Sequence, residues 1–143
     1  MNTDGRMDAA VEEFLSEGTR TGMLAYTAAD GRPLAAPVWF VVDEGDIVLN
    51  TARASAKGRA LTRDSRVTLC VDDPHPPYGF VQVQGIAALS DDPDELLDIA
   101  TRTGRRYMGD ERADEYGRRN AVAGELVVRI HPYKVTAAFN LAQ

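Results

Sequence analysis

The chain has 143 residues, 44% hydrophobic and 27% charged, with 16 Lys and Arg against 22 Asp and Glu for a formal net charge of -6. That length gives one globular domain a proper core and would leave two cramped, and the acidic balance disfavours nucleic acid as a partner. No apolar run approaches the roughly 20 residues of a bilayer span, and Met1-Asn2-Thr3-Asp4-Gly5 lacks signal-peptide character. A soluble cytoplasmic domain over residues 1–143 is therefore expected, with no membrane partner and a flexible start over residues 1–7. The single cysteine, Cys70, excludes an internal disulfide and reads as a small strand residue, and His75 and His131 are too few for a Cys/His metal site.

Val11, Phe14 and Leu15 lie at the spacing of one helix face, and Gly18 is placed to end that helix in the left-handed conformation. Gly22 to Ala28 and Arg32 to Asp43 then read as strands around the hairpin signal Asp30-Gly31. Glu44-Gly45 turns the chain into a third strand, Asp46 to Thr51, for an antiparallel meander. After a basic helix opened by Ser55, Val67 to Asp72 predicts a fourth strand, followed by the rigid loop Asp73-Pro74-His75-Pro76-Pro77. A fifth strand spans Gly79 to Leu89, with Val81, Val83, Gly85, Ala87 and Leu89 on one face, and Gly85 marks a bulge or a close backbone approach. Asp92-Pro93-Asp94-Glu95 carries the cap, the first-turn proline and the acids of a helix start, with Leu96, Ala100, Thr103 and Tyr107 following at helical spacing. A polar helical piece over 110–119 is expected on the surface, and Glu125 to His131 and Tyr133 to Leu141 read as two strands divided by Pro132. Six or seven antiparallel strands with added helices make the class mainly β, in the form of a small closed barrel.

Two neighbouring segments concentrate the chemistry. The apolar stretch Pro37-Val38-Trp39-Phe40-Val41-Val42 is followed by Leu49-Asn50-Thr51, which runs into Ser55-Ala56-Lys57-Gly58-Arg59. A helix start has free N–H groups and a positive dipole end, so it accepts an anion. Ser55 supplies a capping hydroxyl, Lys57 and Arg59 offer charge-assisted bonds, and Thr51 adds a donor. From Arg53 to Arg66 five cations face one acid, Asp64, in a chain that is acidic as a whole. The competing reading is a solvated basic face. Trp39 is either core or a ring contact. Pro37 removes a ladder donor beside it, which favours a strand edge where backbone groups are free for a ligand. Tyr78 and Phe80 either cover the barrel end or stack on a bound ring. No nucleophile and base stand out as a pair, so no residue is assigned as catalytic, which suits a protein whose chemistry a cofactor carries.

Taken in order, Gly31-Arg32-Pro33, Pro37-Val38-Trp39-Phe40, Asn50-Thr51 with Lys57 and Arg59, Asp64, Cys70-Val71-Asp72 and Val81-Gln82-Val83-Gln84-Gly85 resemble the pyridoxamine 5'-phosphate oxidase-like split β-barrel family. Within it they resemble the group that binds the deazaflavin coenzyme F420. The resemblance implies a split, FMN-binding-like β-barrel and a homodimer with cofactor sites at the subunit interface. It implies that Ser55, Ala56, Lys57 and Arg59 hold phosphate and acidic tail, with Arg53 and Arg63 as further cations for that tail. Leu49, Asn50 and Thr51 would line the adjoining strand, and Pro37, Val38 and Trp39 would run along the ring. Tyr78, Gly79 and Phe80 would come from the other subunit. The implied activity is hydride transfer from reduced F420 to an unsaturated small-molecule substrate. FMN as the cofactor, and a non-catalytic F420-storage role, are the alternatives.

Overall fold

The computed structural model describes residues 6–143. Asp8 opens the first helix, α1 (Ala9–Ser16), by accepting a hydrogen bond from the Val11 amide at 2.9 Å, and Val11, Phe14 and Leu15 form its buried face. Of the start expected to be flexible, residues 1–5 lie outside the described residues, whereas Met7 is buried in the main core. Gly18 follows the helix at φ +58°, the conformation its position predicts.

The strands β1 (Gly22–Thr27) and β2 (Pro33–Val38) form the hairpin expected around Asp30-Gly31. The single strand expected from Arg32 to Asp43 is broken at Trp39-Phe40. Beyond the break, β3 (Val41–Asp43) pairs with β4 (Asp46–Ala52) through the Glu44-Gly45 turn. The chain continues through α2 (Ala56–Arg63), β5 (Arg66–Asp73), β6 (Gly79–Ser90), α3 (Pro93–Met108), α4 (Ala113–Asn120) and β7 (Glu125–Phe139). All pairings are antiparallel in one seven-stranded sheet of order β2-β1-β5-β6-β7-β4-β3.

The expected three-strand meander is therefore two hairpins at opposite edges of the sheet. Residues 39 and 40 alone join those edges, and so short a link spans at most about 11 Å. The sheet must curl until β2 and β3 approach each other without pairing: a split barrel. The break has a tertiary cause. Phe40 is fully buried, and its backbone bonds to α3 in place of a strand: its N–H donates to the Tyr107 hydroxyl at 3.3 Å and its carbonyl accepts from Arg106 at 2.7 Å.

Pro132 does not divide the last strand as expected. The β6–β7 register shifts at Gln84/Gly85, Gly85 lies opposite Pro132, and Tyr133 becomes the extra residue of a bulge. Only glycine fits there, because a Cβ on residue 85 would lie 2.5 Å from Ile130 Cγ2 and 2.8 Å from the His131 carbonyl. The barrel core joins α1 to inward residues such as Leu24, Leu69, Val83, Val135 and Ile130. A second cluster, Val41, Val48, Leu96, Ile99 and Val127, seats α3 on the β3–β4 end. Arg129 fastens the same end, reaching Asp43 at 3.0 Å, Asp46 at 3.4 Å and Glu95 at 3.7 Å. Among the described residues, no helix is long and apolar enough to cross a membrane.

Candidate cofactor site

An open cleft of about 360 Å³ lies between the β2 end, β4 and the first turn of α2, with Pro37, Val38, Trp39, Asn50 and Lys57 in its wall. Thr103 and Asn120, from α3 and α4, complete it. The two segments singled out in the sequence thus meet in one place. The helices between β6 and β7 also contribute.

At the polar end, Ser55 accepts from the Gly58 amide at 3.0 Å and donates to the Ala52 carbonyl at 2.7 Å. Its hydroxyl is committed to capping α2, and the amides of Ala56 and Lys57 remain as first-turn donors without helical partners. Lys57 forms no hydrogen bond or ion pair among the described residues and lines the cleft. Arg59 folds back to donate to the Ala54 carbonyl at 2.7 Å, which brings its guanidinium to the helix start. Thr51 is nearly buried, its hydroxyl 3.3 Å from that of Ser55, and it braces the cap. Gly58 lies so close to the preceding loop that a Cβ would strike the carbonyl oxygens of Ala52 and Arg53. The residues beside the cap are thereby held against the helix start.

Other expected participants are placed differently. Leu49 is 1% exposed, its side chain part of the barrel core, so only its main chain is left for a ligand. Arg53 pairs with Asp91 at 3.3 Å on the surface. Arg63 occupies the last turn of α2, about 9 Å along the axis from Lys57 and at the negative end of the dipole. Asn50 donates to Glu125 at 2.8 Å across β7.

Trp39 is 40% exposed and stands outside the core. Its ring stacks on Tyr107 at 4.8 Å between centroids with 3° between planes, and Tyr116 approaches at 6.5 Å, tilted by 56°. Sequence reasoning missed Thr103, Asn120, Tyr107 and Tyr116 as parts of the site; helical spacing marked Tyr107 as a helix residue and carried no sign that it would meet Trp39. Tyr78, Gly79 and Phe80 do not line the cleft within one chain. Tyr78 precedes β6, and Gly79 and Phe80 start it opposite the C-terminal end of β7, where Tyr78, Phe139 and Leu141 are exposed at 45%, 40% and 55%. His75 lies on the proline loop, and the His131 ring is 3.0 Å from Asp46, so neither histidine reaches the cleft. Burial raises the pKa of Cys70, with the charge of Asp72 adding to the shift, so the thiol is a poor nucleophile. Among the described residues, no group of three or more His, Cys, Asp or Glu is placed to hold a metal ion.

The family model described as pyridoxamine 5'-phosphate oxidase matches residues 7–137. Of solved structures, the chain is similar to the conserved hypothetical protein Rv2991 from Mycobacterium tuberculosis, with a TM-score of 0.82 and 27% identity over 98% of this chain and 91% of that one. It shares its fold with an F420 reductase, with a TM-score of 0.72 and 23% identity over 87% of this chain and 94% of that one. It also shares its fold with HutZ, the heme storage protein from Vibrio cholerae, with a TM-score of 0.73 and 19% identity over 96% and 99%. No curated protein matches the chain. The match over residues 7–137, on a seven-stranded antiparallel sheet with a split edge, shows that the chain belongs to the pyridoxamine 5'-phosphate oxidase family.

Proposed function

We propose that this protein is an F420-dependent reductase that passes a hydride to an unsaturated small molecule, working as a homodimer with a cofactor site at each subunit interface. The observation that carries the reading is a single cleft with an exposed tryptophan at one end and, at the other, a lysine with no partner among the described residues beside a capped helix start. The donor set fits a tricyclic ring joined to a phosphate: Trp39 offers an aromatic wall, and Lys57, Arg59 and the amides of Ala56 and Lys57 offer donors to an anion. A flavin shares these features, but an anionic tail beyond the phosphate suits the extra charge of Arg59 at the same end. A heme, which one structural neighbour stores, would find no histidine among the residues lining the cleft.

When bound, F420 would supply the hydride at its ring carbon. The protein's own part is placement: Lys57 and Arg59 neutralise the anion, Pro37 and Val38 present backbone along the ring, and Trp39 keeps water from one side. Tyr78, Gly79 and Phe80 reach the cleft from a second copy of the chain, which covers the exposed aromatic residues at that end of the barrel. Solvent or a nearby tyrosine supplies the proton that completes reduction.

Titration of the purified protein with F420 and with FMN, followed by fluorescence at fixed salt, tests the reading. F420 binding at least tenfold tighter than FMN supports it, the reverse order assigns the protein to flavin, and binding of neither overturns both. Multiple-turnover reduction of a panel of enones, quinones and tetrapyrroles then separates a reductase from an F420 store.

A further inference from the structure

Trp39 directly follows β2, and the sheet does not fix its ring. Past Val38 the ladder stops, and the next ladder residue is Val41 on the opposite edge. What meets the indole is Tyr107, at 4.8 Å and within 3° of parallel, and Tyr107 is itself tightly held. Its hydroxyl donates to the Arg20 carbonyl at 2.8 Å and accepts from the Phe40 amide at 3.3 Å, which ties the ring to the residue directly after the tryptophan. The Arg106 guanidinium lies 5.0 Å from the Tyr107 ring and donates to the carbonyls of Leu15, Gly18 and Phe40. Burial raises the Tyr107 pKa above its ordinary 10.0, so the phenol stays a proton donor at physiological pH.

The second aromatic contact depends on how closely α4 approaches α3. A Cβ at Gly104 would sit 2.7 Å from Tyr116 Cβ, and one at Gly117 would sit 3.1 Å from Thr101 Cβ. Two glycines at the crossing therefore let Tyr116 come within 6.5 Å of Trp39. The same crossing brings Thr103 and Asn120 into the cleft.

We propose that Tyr107 is a positioning residue of the cleft: it sets the plane of Trp39, so that the α3–α4 hairpin, rather than the barrel, fixes the wall against which a flat conjugated ring lies. One face of the indole is closed by the tyrosine, so a ligand ring meets what remains open. The identity of that ring rests on the proposed function; the wall does not, and it is tested without cofactor.

Trp39 is the only tryptophan in the chain, so intrinsic emission and the near-ultraviolet dichroism of tryptophan report this wall alone. Tyr107→Leu removes the stack and Tyr107→Phe keeps it. In the absence of cofactor, Tyr107→Leu is expected to collapse the tryptophan dichroism band and at least double acrylamide quenching, while Tyr107→Phe retains both signals. F420 affinity should fall about tenfold in Tyr107→Leu and stay within threefold in Tyr107→Phe, with far-ultraviolet dichroism unchanged in each. A folded Tyr107→Leu protein with wild-type tryptophan signals, or with altered signals and wild-type F420 affinity, overturns the proposal. Should Tyr107→Leu not fold, Tyr116→Leu replaces it: a change in the same direction and about threefold in affinity is expected, and no change overturns the role of the hairpin. If the wild type binds neither F420 nor FMN, the proposed function fails while the spectra of the apo variants still decide the proposal about Tyr107.

Discussion

The two ends of the cleft are built by opposite means. At α2 the contacts are local: Ser55 bonds to Ala52 and Gly58, and Arg59 reaches Ala54 only five positions away. At Trp39 they are remote, with the bonds that position Phe40, Tyr107 and Arg106 joining residues 66 to 91 positions apart. A local site forms wherever its short sequence folds, whereas a remote one exists only once the barrel and the helical hairpin are both in place. Damage to the first should therefore show mainly in binding unless it breaks the backbone itself, and damage to the second should show in stability and in the tryptophan signal together.

Gly58→Ala is the backbone-breaking case and carries the largest expected effect. The new methyl group meets the Ala52 carbonyl and comes 2.6 Å from the Arg53 carbonyl oxygen, and neither is the end of a flexible side chain. Moving α2 off its loop is expected to cost about 3 kcal/mol and to abolish cofactor binding. A urea unfolding curve with its midpoint at the wild-type value would remove the claim that α2 is pinned through this glycine. Arg106→Met attacks the remote end. The methionine keeps an apolar stem but leaves three carbonyls without their donor, so about 2 kcal/mol should be lost. Tryptophan emission should shift in the same variant, and a stability loss with no change in emission would separate Arg106 from the wall.

Lys57→Ala should divide the two ends most cleanly. The ammonium has no partner among the described residues, so thermal stability should not move. Affinity for F420 should fall about tenfold, near 1.4 kcal/mol. Unchanged affinity, measured by the same fluorescence titration, would leave the α2 start as a solvated basic face.

The same division explains what could be read from the sequence. Ser55, Asp92-Pro93 and Asp30-Gly31 act through neighbours within a few residues, so cap and turn chemistry located them. Strand alternation found the buried faces of β5 and β6 because a sheet face is encoded at every second residue. The break at Trp39-Phe40 was invisible, since an apolar run continues through it and the groups that stop the ladder belong to α3. Pro132 misled for a related reason: its cost to a strand is absorbed by Gly85 on the neighbouring strand, and that partner is set by register. Trp39 was legible as a residue, but its wall was not, because Tyr107 and Tyr116 reach it only through the fold.

Acid titration applies the contrast on a smaller scale. Asp43 is a remote group: its carboxylate accepts from Arg102 at 2.9 Å and Arg129 at 3.0 Å, and these bonds, that of Arg102 foremost, lower its pKa against the opposing effect of burial. Asp64 is the local counterpart, held at about 2 by the side chain and then the backbone of Arg66, two positions on. Both folded values lie below the ordinary 3.8, so the folded state binds the proton more weakly than the unfolded one. The stabilisation is complete above pH 3.8 and fades as pH falls below it, for Asp64 until about pH 2. Asp43→Asn should therefore lower stability at neutral pH and flatten the acid limb of the stability curve, because it also loosens Arg129 from the β3–β4 end. Asp64→Asn should flatten the same limb only slightly, since its partner Arg66 is solvent-exposed and water replaces the bond. Unfolding midpoints of the two variants between pH 2 and 5 give the comparison directly. An acid limb flattened as much by Asp64→Asn as by Asp43→Asn would mean that the α2 end is anchored by more than its local bonds.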